Sequence, residues 1–115
     1  MRDLEPLRVR LRAFAAEREW ETFHSPKNLA MALAGECGEL LEVFQWMTEA
    51  ESRAPDPKAR AAAAEELADV LLYLVRLADV LDIDLIDAAA RKLDANAQKY
   101  PVDKARGHAR KYTEL

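Results

Sequence analysis

Four acidic residues of this chain stand in two pairs with the same spacing. Glu36 and Glu39 are three residues apart, and so are Glu66 and Asp69. Residues at i and i+3 share one face of a helix, so each pair can direct both carboxylates to one point. If the two helices pack antiparallel, the four carboxylates converge. Hard oxygen ligands without a nearby histidine suit Mg²⁺ or Mn²⁺, and these four residues are therefore the predicted metal ligands.

The alternative is that these carboxylates lie on solvated helix faces. Glu36 and Asp69 argue against it, because Glu36 interrupts an apolar helical stripe and Asp69 lies inside an apolar run over residues 67–81. The stripe consists of Leu29, Leu33, Leu40, Val43, Phe44 and Met47. A buried carboxylate must be protonated or paired with a cation. A di-iron bundle is disfavoured because it needs Glu-x-x-His on two helices, and neither His24 nor His108 has that spacing.

A second set of residues is basic and polar. Lys92, Asn96 and Lys99 recur at steps of four and three, which places them on one helix face, and Tyr100 lies beside them. Two ammonium groups and an amide in a row can bind phosphate oxygens. A basic solvated face near a helix C-terminus is favourable in its own right, so the residues alone leave both interpretations open.

Aromatic side chains form a third set. Trp46 follows Glu39 by seven residues and Tyr73 follows Glu66 by seven, so on regular helices both project from the same side as the carboxylates. An aromatic wall beside a metal site can stack on a planar base. Aromatic residues at helical spacing are also ordinary core residues, and for Trp46 core packing and base stacking both stay open. The same set includes Trp20, Phe23 and His24.

The elements that must position these residues are helices in a single domain. Alanine, leucine, glutamate and arginine dominate the 115 residues, glycine occurs three times, and no β-branched run is present. Four helices are predicted, over residues 3–20, 26–49, 57–82 and 85–100, and the third should be the most buried. The predicted N-caps are Ser25, Asp56 and Asp84. Residues 50–56 are predicted to form a polar loop, and residues 102–115 form a basic C-terminal tail without a clear period.

Charge and hydropathy exclude several classes of protein. The net charge is −4, with an acidic body and a basic end over residues 91–115. Duplex nucleic-acid binders need a continuous basic face, whereas this distribution suits an anionic ligand that carries metal ions. Without an apolar run of about 18 residues or a signal-peptide pattern, we expect a cytoplasmic protein with no membrane partner. Cys37, the single cysteine, cannot form an internal disulfide and is predicted to be a small buried hydrophobe.

The order of these motifs resembles one family. The pattern GExxE, 26 residues and then ExxD, together with the segments KLDANAQKYPV and KYTEL, is similar to the MazG-like all-α nucleoside triphosphate pyrophosphohydrolases. The similarity is greatest to their dCTP pyrophosphatase branch and spans nearly the whole chain. Gly35 stands where the wider family often has a glutamate. Leu11 stands where mammalian members have a histidine, which leaves the base preference open.

The resemblance implies a four-helix-bundle-type fold assembled as a homo-oligomer, a tetramer rather than a dimer, with sites lined by more than one subunit. It implies Mg²⁺-dependent hydrolysis of a deoxynucleoside triphosphate, most closely dCTP or a 5-modified dCTP, in sanitation of the nucleotide pool. Matched by position, the metal ligands are Glu36, Glu39, Glu66 and Asp69. The positions near the triphosphate are Lys92, Asn96, Lys99 and Tyr100. The positions around the nucleoside are Trp20, His24, Asn28, Trp46 and Tyr73.

The predicted reaction is in-line attack of water on the α-phosphorus. Mg²⁺, with Mn²⁺ as a substitute, neutralises the phosphates, and Glu39 rather than Glu36 orients or deprotonates the water. The pyrophosphate leaving group is stabilised by Lys92, Lys99 and either Arg110 or Lys111 of the tail. Two other functions compete with this one. The chain could be a dUTP or broad-spectrum NTP pyrophosphatase, or a non-catalytic helical interaction module in which the acidic pairs are structural.

Overall fold

All the regular secondary structure in the computed structural model is helical. The structure describes residues 3–115, and within them there is no β-strand. The α-helices are α1 (Glu5–Glu17), α2 (Pro26–Phe44), α3 (Glu49–Arg53), α4 (Pro57–Val80), α5 (Leu85–Lys99) and α6 (Val102–Ala105). Two 3₁₀ turns cover Glu21–Phe23 and Tyr112–Glu114. The prediction of an all-α chain is confirmed.

Three helices begin where their N-caps predict. Ser25, Asp56 and Asp84 each accept a hydrogen bond from the backbone N–H three residues further on, at 3.2, 2.8 and 3.0 Å. The side-chain acceptor satisfies an N–H that has no partner inside the helix. In α2 and α4 a proline follows the cap, where its missing N–H costs nothing. These caps fix the first residues of α2, α4 and α5.

The second helix ends earlier than predicted. It stops at Phe44 rather than near Glu49, and residues 50–56 are not a plain loop because they contain most of α3. The reason is a capping box, in which Thr48 Oγ1 accepts from the Glu51 N–H and Glu51 Oε1 accepts from the Thr48 N–H, both at 3.1 Å. This box begins a new helix, although the apolar period of α2 continues as far as Met47.

The remaining helix bounds shift by smaller amounts. The first helix spans Glu5–Glu17 rather than residues 3–20, and α4 ends at Val80 rather than near Asp82. Glu19 and Asp82 adopt left-handed backbone conformations, with φ of 52° and 55°, and such residues commonly follow a helix end. The tail, predicted without regular structure, contains α6.

Helices α2 and α4 form the central antiparallel pair. Phe44, at the end of α2, lines a cavity together with Ala63 near the start of α4. His24, just before α2, contacts Arg76 near the end of α4. Helix α4 is the most buried helix of the described chain, as predicted, because it supplies four of the six buried residues, namely Ala63, Val75, Arg76 and Ala78. The pair therefore holds two long helix faces against each other.

Helix α5 has little contact with the rest of the chain. Within it only Leu85 and Asn96 are half-buried, and the apolar residues Ile86 and Leu93 are 42% and 69% exposed. The central pair also exposes large apolar side chains, namely Met31, Leu41, Leu67, Leu71 and Leu74. Large exposed apolar patches on a protein commonly mark sites of contact with other molecules.

Cys37 is exposed, so the prediction that it is buried is wrong. It lies four residues before Leu41, which is itself 61% exposed. Residues at i and i+4 share a helix side, so Cys37 belongs to the outward apolar side of α2 rather than to the side that packs on α4. None of the helices within residues 3–115 is both long and apolar enough to cross a membrane.

Candidate functional site

The four predicted metal ligands lie together. One carboxylate oxygen from each of Glu36, Glu39, Glu66 and Asp69 lies within 4.8 Å of the other three. The first two stand one turn apart on α2 and the other two one turn apart on α4, so antiparallel packing brings the two pairs face to face. Glu39 is exposed and the other three are half-buried. The four residues are called the carboxylate cluster below.

The carboxylate cluster lacks compensating positive charge. The Oε2 atoms of Glu36 and Glu66 are buried without a hydrogen-bond partner. No ion pair of the described residues reaches the cluster. Burial, and then the neighbouring Glu39, raise the pKa of Glu66 to about 7 and also raise the pKa of Glu36. A cation would reverse this effect by favouring the charged forms, and a donor set made only of carboxylate oxygens fits a hard divalent cation.

The raised pKa of Glu66 predicts how the metal-free protein responds to pH. The folded-state pKa of about 7 lies above the ordinary value of 4.5, so the folded protein keeps a proton that the unfolded chain releases. This contribution to stability is fully present below the ordinary value and is lost as the pH rises through about 7. We therefore expect the melting temperature in EDTA to fall between about pH 5 and about pH 8.

The measurement is a calorimetric melting series with and without Mg²⁺. Mg²⁺ should raise the melting temperature more at the higher pH, since protons compete with the metal for the same oxygens. Glu66→Gln should flatten the pH dependence in EDTA, whereas Glu65→Gln, at an exposed neighbouring position, should leave it unchanged. Equal slopes in all three proteins would contradict the assignment of the proton to the cluster.

The predicted phosphate-binding residues lie on α5 and in the tail. Lys92 and Lys99 are exposed, and Asn96 is half-buried. Lys99 Nζ lies 4.8 Å from the ring centroid of Tyr112, and the rings of Tyr100 and Tyr112 meet edge to face at 6.0 Å. Across residues 3–115, no hydrogen bond or ion pair joins α5 to the carboxylate cluster. Within the described part of one copy, the two sets are thus not linked by a hydrogen bond or an ion pair.

The two tail residues predicted to stabilise the leaving group are also exposed. The Arg110 N–H donates to Nδ1 of His108 at 3.2 Å, and Nε2 of His108 contacts the Lys104 carbonyl at 2.7 Å. The side chains of Arg110 and Lys111 form no ion pair within the described part of the chain. Their predicted role and that of the α5 residues stay predictions.

Part of the predicted nucleoside-binding set surrounds the turn that leads into α2. Trp20 and His24 meet edge to face with ring centroids 6.2 Å apart. Asn28 Nδ2 donates to the Phe23 carbonyl at 3.1 Å, which ties the 3₁₀ turn to the first turn of α2. Burial, and then the nearby guanidinium of Arg76, lower the pKa of His24. Trp20 and His24 therefore form one local unit with a neutral imidazole.

Trp46 does not lie on α2 as predicted. Because α2 ends at Phe44, Trp46 stands in the following turn, and its side chain is 89% exposed. Its placement by helical spacing from Glu39 is therefore wrong, and core packing is excluded within this chain. Tyr73 is on α4 as predicted, two turns after Glu66, and is half-buried.

Sequence reasoning missed a buried ionic network behind His24. Arg76 is 8% exposed, and its Nε–H donates to Nδ1 of His24 at 3.1 Å. Asp79, whose side chain is 6% exposed, accepts from Arg76, Arg8 and Arg12. The available signal was a pair of opposite charges three residues apart inside the apolar run 67–81.

Comparisons with known proteins find similar sequences and a similar fold. The dCTP pyrophosphatase 1 proteins of Rattus norvegicus and Homo sapiens are 54% and 52% identical over 114 residues, covering 97% of this chain and 67% of each relative. A crystal structure of a pyrophosphatase from Archaeoglobus fulgidus matches with a TM-score of 0.81 at 42% identity, over 86% of this chain and 93% of that one. The profile of the MazG-like family matches residues 32–115, which include the whole carboxylate cluster. The chain therefore belongs to the MazG-like family.

Proposed function

We propose that this chain hydrolyses dCTP, or a 5-modified dCTP, to the monophosphate and pyrophosphate with the help of a divalent cation. The observation that carries the proposal is the convergence of four carboxylates, two of which have buried oxygens without a partner. The names of the relatives, dCTP pyrophosphatases, support the substrate. The ion we propose is Mg²⁺, with Mn²⁺ as a substitute. We place this activity in the cytoplasm, in sanitation of the nucleotide pool.

Each member of the carboxylate cluster has a role in this proposal. All four carboxylates, three of them half-buried, would hold the cation, which when bound supplies charge neutralisation for the phosphates and activation of water. Glu39 is the exposed member, so its carboxylate can reach a solvent water and orient or deprotonate it for in-line attack. Glu36 is the second candidate for this base.

The basic residues act on the other end of the substrate. Lys92 and Lys99 would bind the β- and γ-phosphates, and Asn96 and Tyr100 would donate hydrogen bonds to phosphate oxygens. Further positive charge from the tail would come from Arg110 and Lys111. Because no hydrogen bond or ion pair links α5 to the cluster within the described chain, we propose that these groups reach the site from another copy.

Two separate apolar surfaces support a homo-oligomer, with a tetramer favoured over a dimer. The outward side of the central pair, which includes Met31 (64% exposed) and Leu41, can pair with the same side of a second copy. Two α2–α4 pairs then form a four-helix bundle. Helix α5 offers a second surface through Ile86 and Leu93, and two kinds of isologous contact generate a tetramer.

The aromatic residues would hold the nucleoside, together with Asn28 and His24. Tyr73 lies on the helix that carries Glu66, and the exposed indoles of Trp20 and Trp46 are available to stack on a base. Loss of one stacking ring typically weakens binding of a base by 1–3 kcal/mol. The binding of phosphate and metal would be unaffected by that loss.

We expect Trp46→Ala to raise KM for dCTP about tenfold and to change kcat less than about threefold. Trp46→Phe keeps an aromatic face and should stay near the parent enzyme. Phe23→Ala removes another exposed aromatic side chain, 66% exposed, that lies outside the proposed nucleoside-binding set, and it is the matched control. Steady-state kinetics over a range of dCTP concentrations decide the matter, and an unchanged KM in Trp46→Ala would refute the stacking role.

The experiment that tests the proposed function is a pyrophosphate-release screen over all common dNTPs and NTPs with Mg²⁺. Release that peaks on dCTP supports the proposal. A peak on dUTP, or similar rates on many nucleotides, would favour a dUTP or broad-spectrum pyrophosphatase. This outcome is tested because Leu11 in α1 stands where mammalian members of the family have a histidine. No release from any nucleotide, with melting indifferent to Mg²⁺ plus nucleotide, would favour a non-catalytic interaction module.

A further inference from the structure

Arg76 is a buried charged residue, 8% exposed, and the proposed reaction does not use it. Its guanidinium lies between two partners, with Nε–H donating to Nδ1 of His24 at 3.1 Å and Nη1 donating to Oδ2 of Asp79 at 3.4 Å. Burying a guanidinium is costly unless it gains strong partners. Because Arg76 is buried at a cost in stability and contacts His24 of the candidate nucleoside site, its contact with His24 suggests a role in that site.

The position of Arg76 is itself fixed from the other side. Asp79 accepts from Arg8 Nη1 at 2.8 Å, from Arg12 Nη2 at 2.6 Å and from Arg12 Nε at 3.0 Å. Hydrogen bonds from Arg12 and Arg8 outweigh burial and lower the pKa of Asp79, which therefore stays charged. Two arginines of α1 thus bind Asp79. Asp79 in turn binds Arg76, which donates a hydrogen bond to His24.

The contact determines which ring nitrogen of His24 carries the proton. A neutral imidazole has one donor nitrogen and one acceptor nitrogen. Nδ1 accepts from Arg76, so the proton is on Nε2. Protonation of Nδ1 would place two N–H donors opposite each other, and this repulsion disfavours the protonated form. The edge of Trp20 packs against the same ring with an interplanar angle of 62° and limits its rotation.

Nε2–H of His24 has no hydrogen-bond partner among residues 3–115. Because His24 is half-buried rather than fully buried, its Nε2–H can donate a hydrogen bond to a ligand. The acceptors of a cytosine nucleoside are its carbonyl oxygen, its unprotonated ring nitrogen and its sugar oxygens. The Nε2–H donor therefore suits an acceptor atom on the nucleoside.

We propose that Arg76, anchored by Asp79, is a positioning residue that holds His24 as a neutral imidazole whose Nε2–H donates to an acceptor atom of the bound nucleoside. This inference rests on the proposed nucleoside site, because His24 is placed there by that proposal. Arg76 acts only through His24 and does not touch the substrate.

The first test reads the tautomer directly in the full-length protein. Long-range ¹H–¹⁵N correlation spectra of ¹⁵N-histidine-labelled enzyme at neutral pH distinguish the two neutral tautomers and the charged ring. His24 should show the Nε2–H form. Arg76→Gln should mix the tautomers of His24 and leave His108 unchanged, because the contacts of His108 lie in the tail. An Nδ1–H or charged His24 in the unaltered protein overturns the proposal.

The second test separates positioning from a merely structural role. Arg76→Gln should raise KM for dCTP about tenfold, the equivalent of one lost hydrogen bond, with kcat within about threefold. Arg76→Lys keeps a cation and a donor and should recover most of this loss. His24→Gln should raise KM as well, and Arg76→Gln should add little in that background, because the two act as one unit.

A second variant keeps the test decisive if Arg76→Gln does not fold. Asp79→Asn leaves Arg76 in place and removes the carboxylate charge that anchors it and that also pairs with Arg8 and Arg12, so it should give a smaller rise in KM and a partly mixed tautomer. Additive effects of Arg76→Gln and His24→Gln, or a loss confined to kcat, would overturn the positioning role. Failure of the proposed function is distinguishable, since an enzyme inactive on every nucleotide would still show the tautomer in its spectra.

Discussion

We expect Glu66→Gln to lower kcat/KM for dCTP by about a thousandfold or more. Glu66 contributes a half-buried carboxylate whose Oε2 has no partner. Glutamine keeps the shape, removes the charge and adds N–H donors that face the other three carboxylates. The cluster then loses affinity for a divalent cation, and the charge of the triphosphate is left without compensation.

The measurement pairs pyrophosphate release with direct metal binding. Mn²⁺ titrations followed by electron paramagnetic resonance should show a large loss of affinity in Glu66→Gln. Glu65→Gln removes one charge at the adjacent, exposed position of α4 and should keep both activity and binding. The metal-free Glu66→Gln protein should be at least as stable as its parent at high pH, because a repulsive charge is gone. An active variant with normal Mn²⁺ affinity would refute the metal site.

Much of the fold can be predicted from local sequence signals such as N-cap residues. Ser25, Asp56 and Asp84 cap the helices that they were expected to cap, because an N-cap satisfies a backbone N–H within four residues and needs no tertiary context. The end of α2 was missed because the apolar period continues to Met47, while the competing capping box of Thr48 and Glu51 closes the helix first.

In the candidate site, too, features set by local spacing could be predicted, and features that depend on contacts distant in sequence could not. The carboxylate cluster could be predicted because two i, i+3 pairs on apolar stripes have few other uses. The network of Arg76 and Asp79 could not, since its partners Arg8 and Arg12 lie about seventy residues away along the chain. Helical spacing predicts which side of a helix a residue occupies, but not whether another element covers that side, and for this reason the burial of Cys37 was predicted wrongly. Spacing also does not predict where a helix ends, and for this reason Trp46 was placed on α2.

Helix α5 limits what a single copy can do. Its apolar residues are exposed and its basic residues have no link to the carboxylate cluster within the described chain. A cation in the cluster would neutralise only part of the charge of a triphosphate, and the leaving pyrophosphate needs further donors. Burial of Ile86 and Leu93 against another copy would bring Lys92 and Lys99 into an assembly that one chain does not form.

We therefore expect two inactive variants to restore activity when their subunits mix. Glu66→Gln lacks a working carboxylate cluster, and the double variant Lys92→Ala/Lys99→Ala lacks the two lysines of α5 that we propose bind the phosphates. If a site takes its carboxylates from one copy and its lysines from another, random exchange gives some sites with both sets intact. For a site shared by two subunits, an equal mixture recovers about a quarter of the parent activity.

The measurement is pyrophosphate release after the subunits have exchanged, with native mass spectrometry to establish that mixed oligomers have formed. The matched control mixes Glu66→Gln with Glu36→Gln, because both changes fall in the cluster of a single chain and no mixed site contains four intact carboxylates. That control should stay inactive. Activity no greater than the sum of the two parents, in a sample that contains mixed oligomers, would show that each copy completes its own site and that α5 must reach the cluster within one chain.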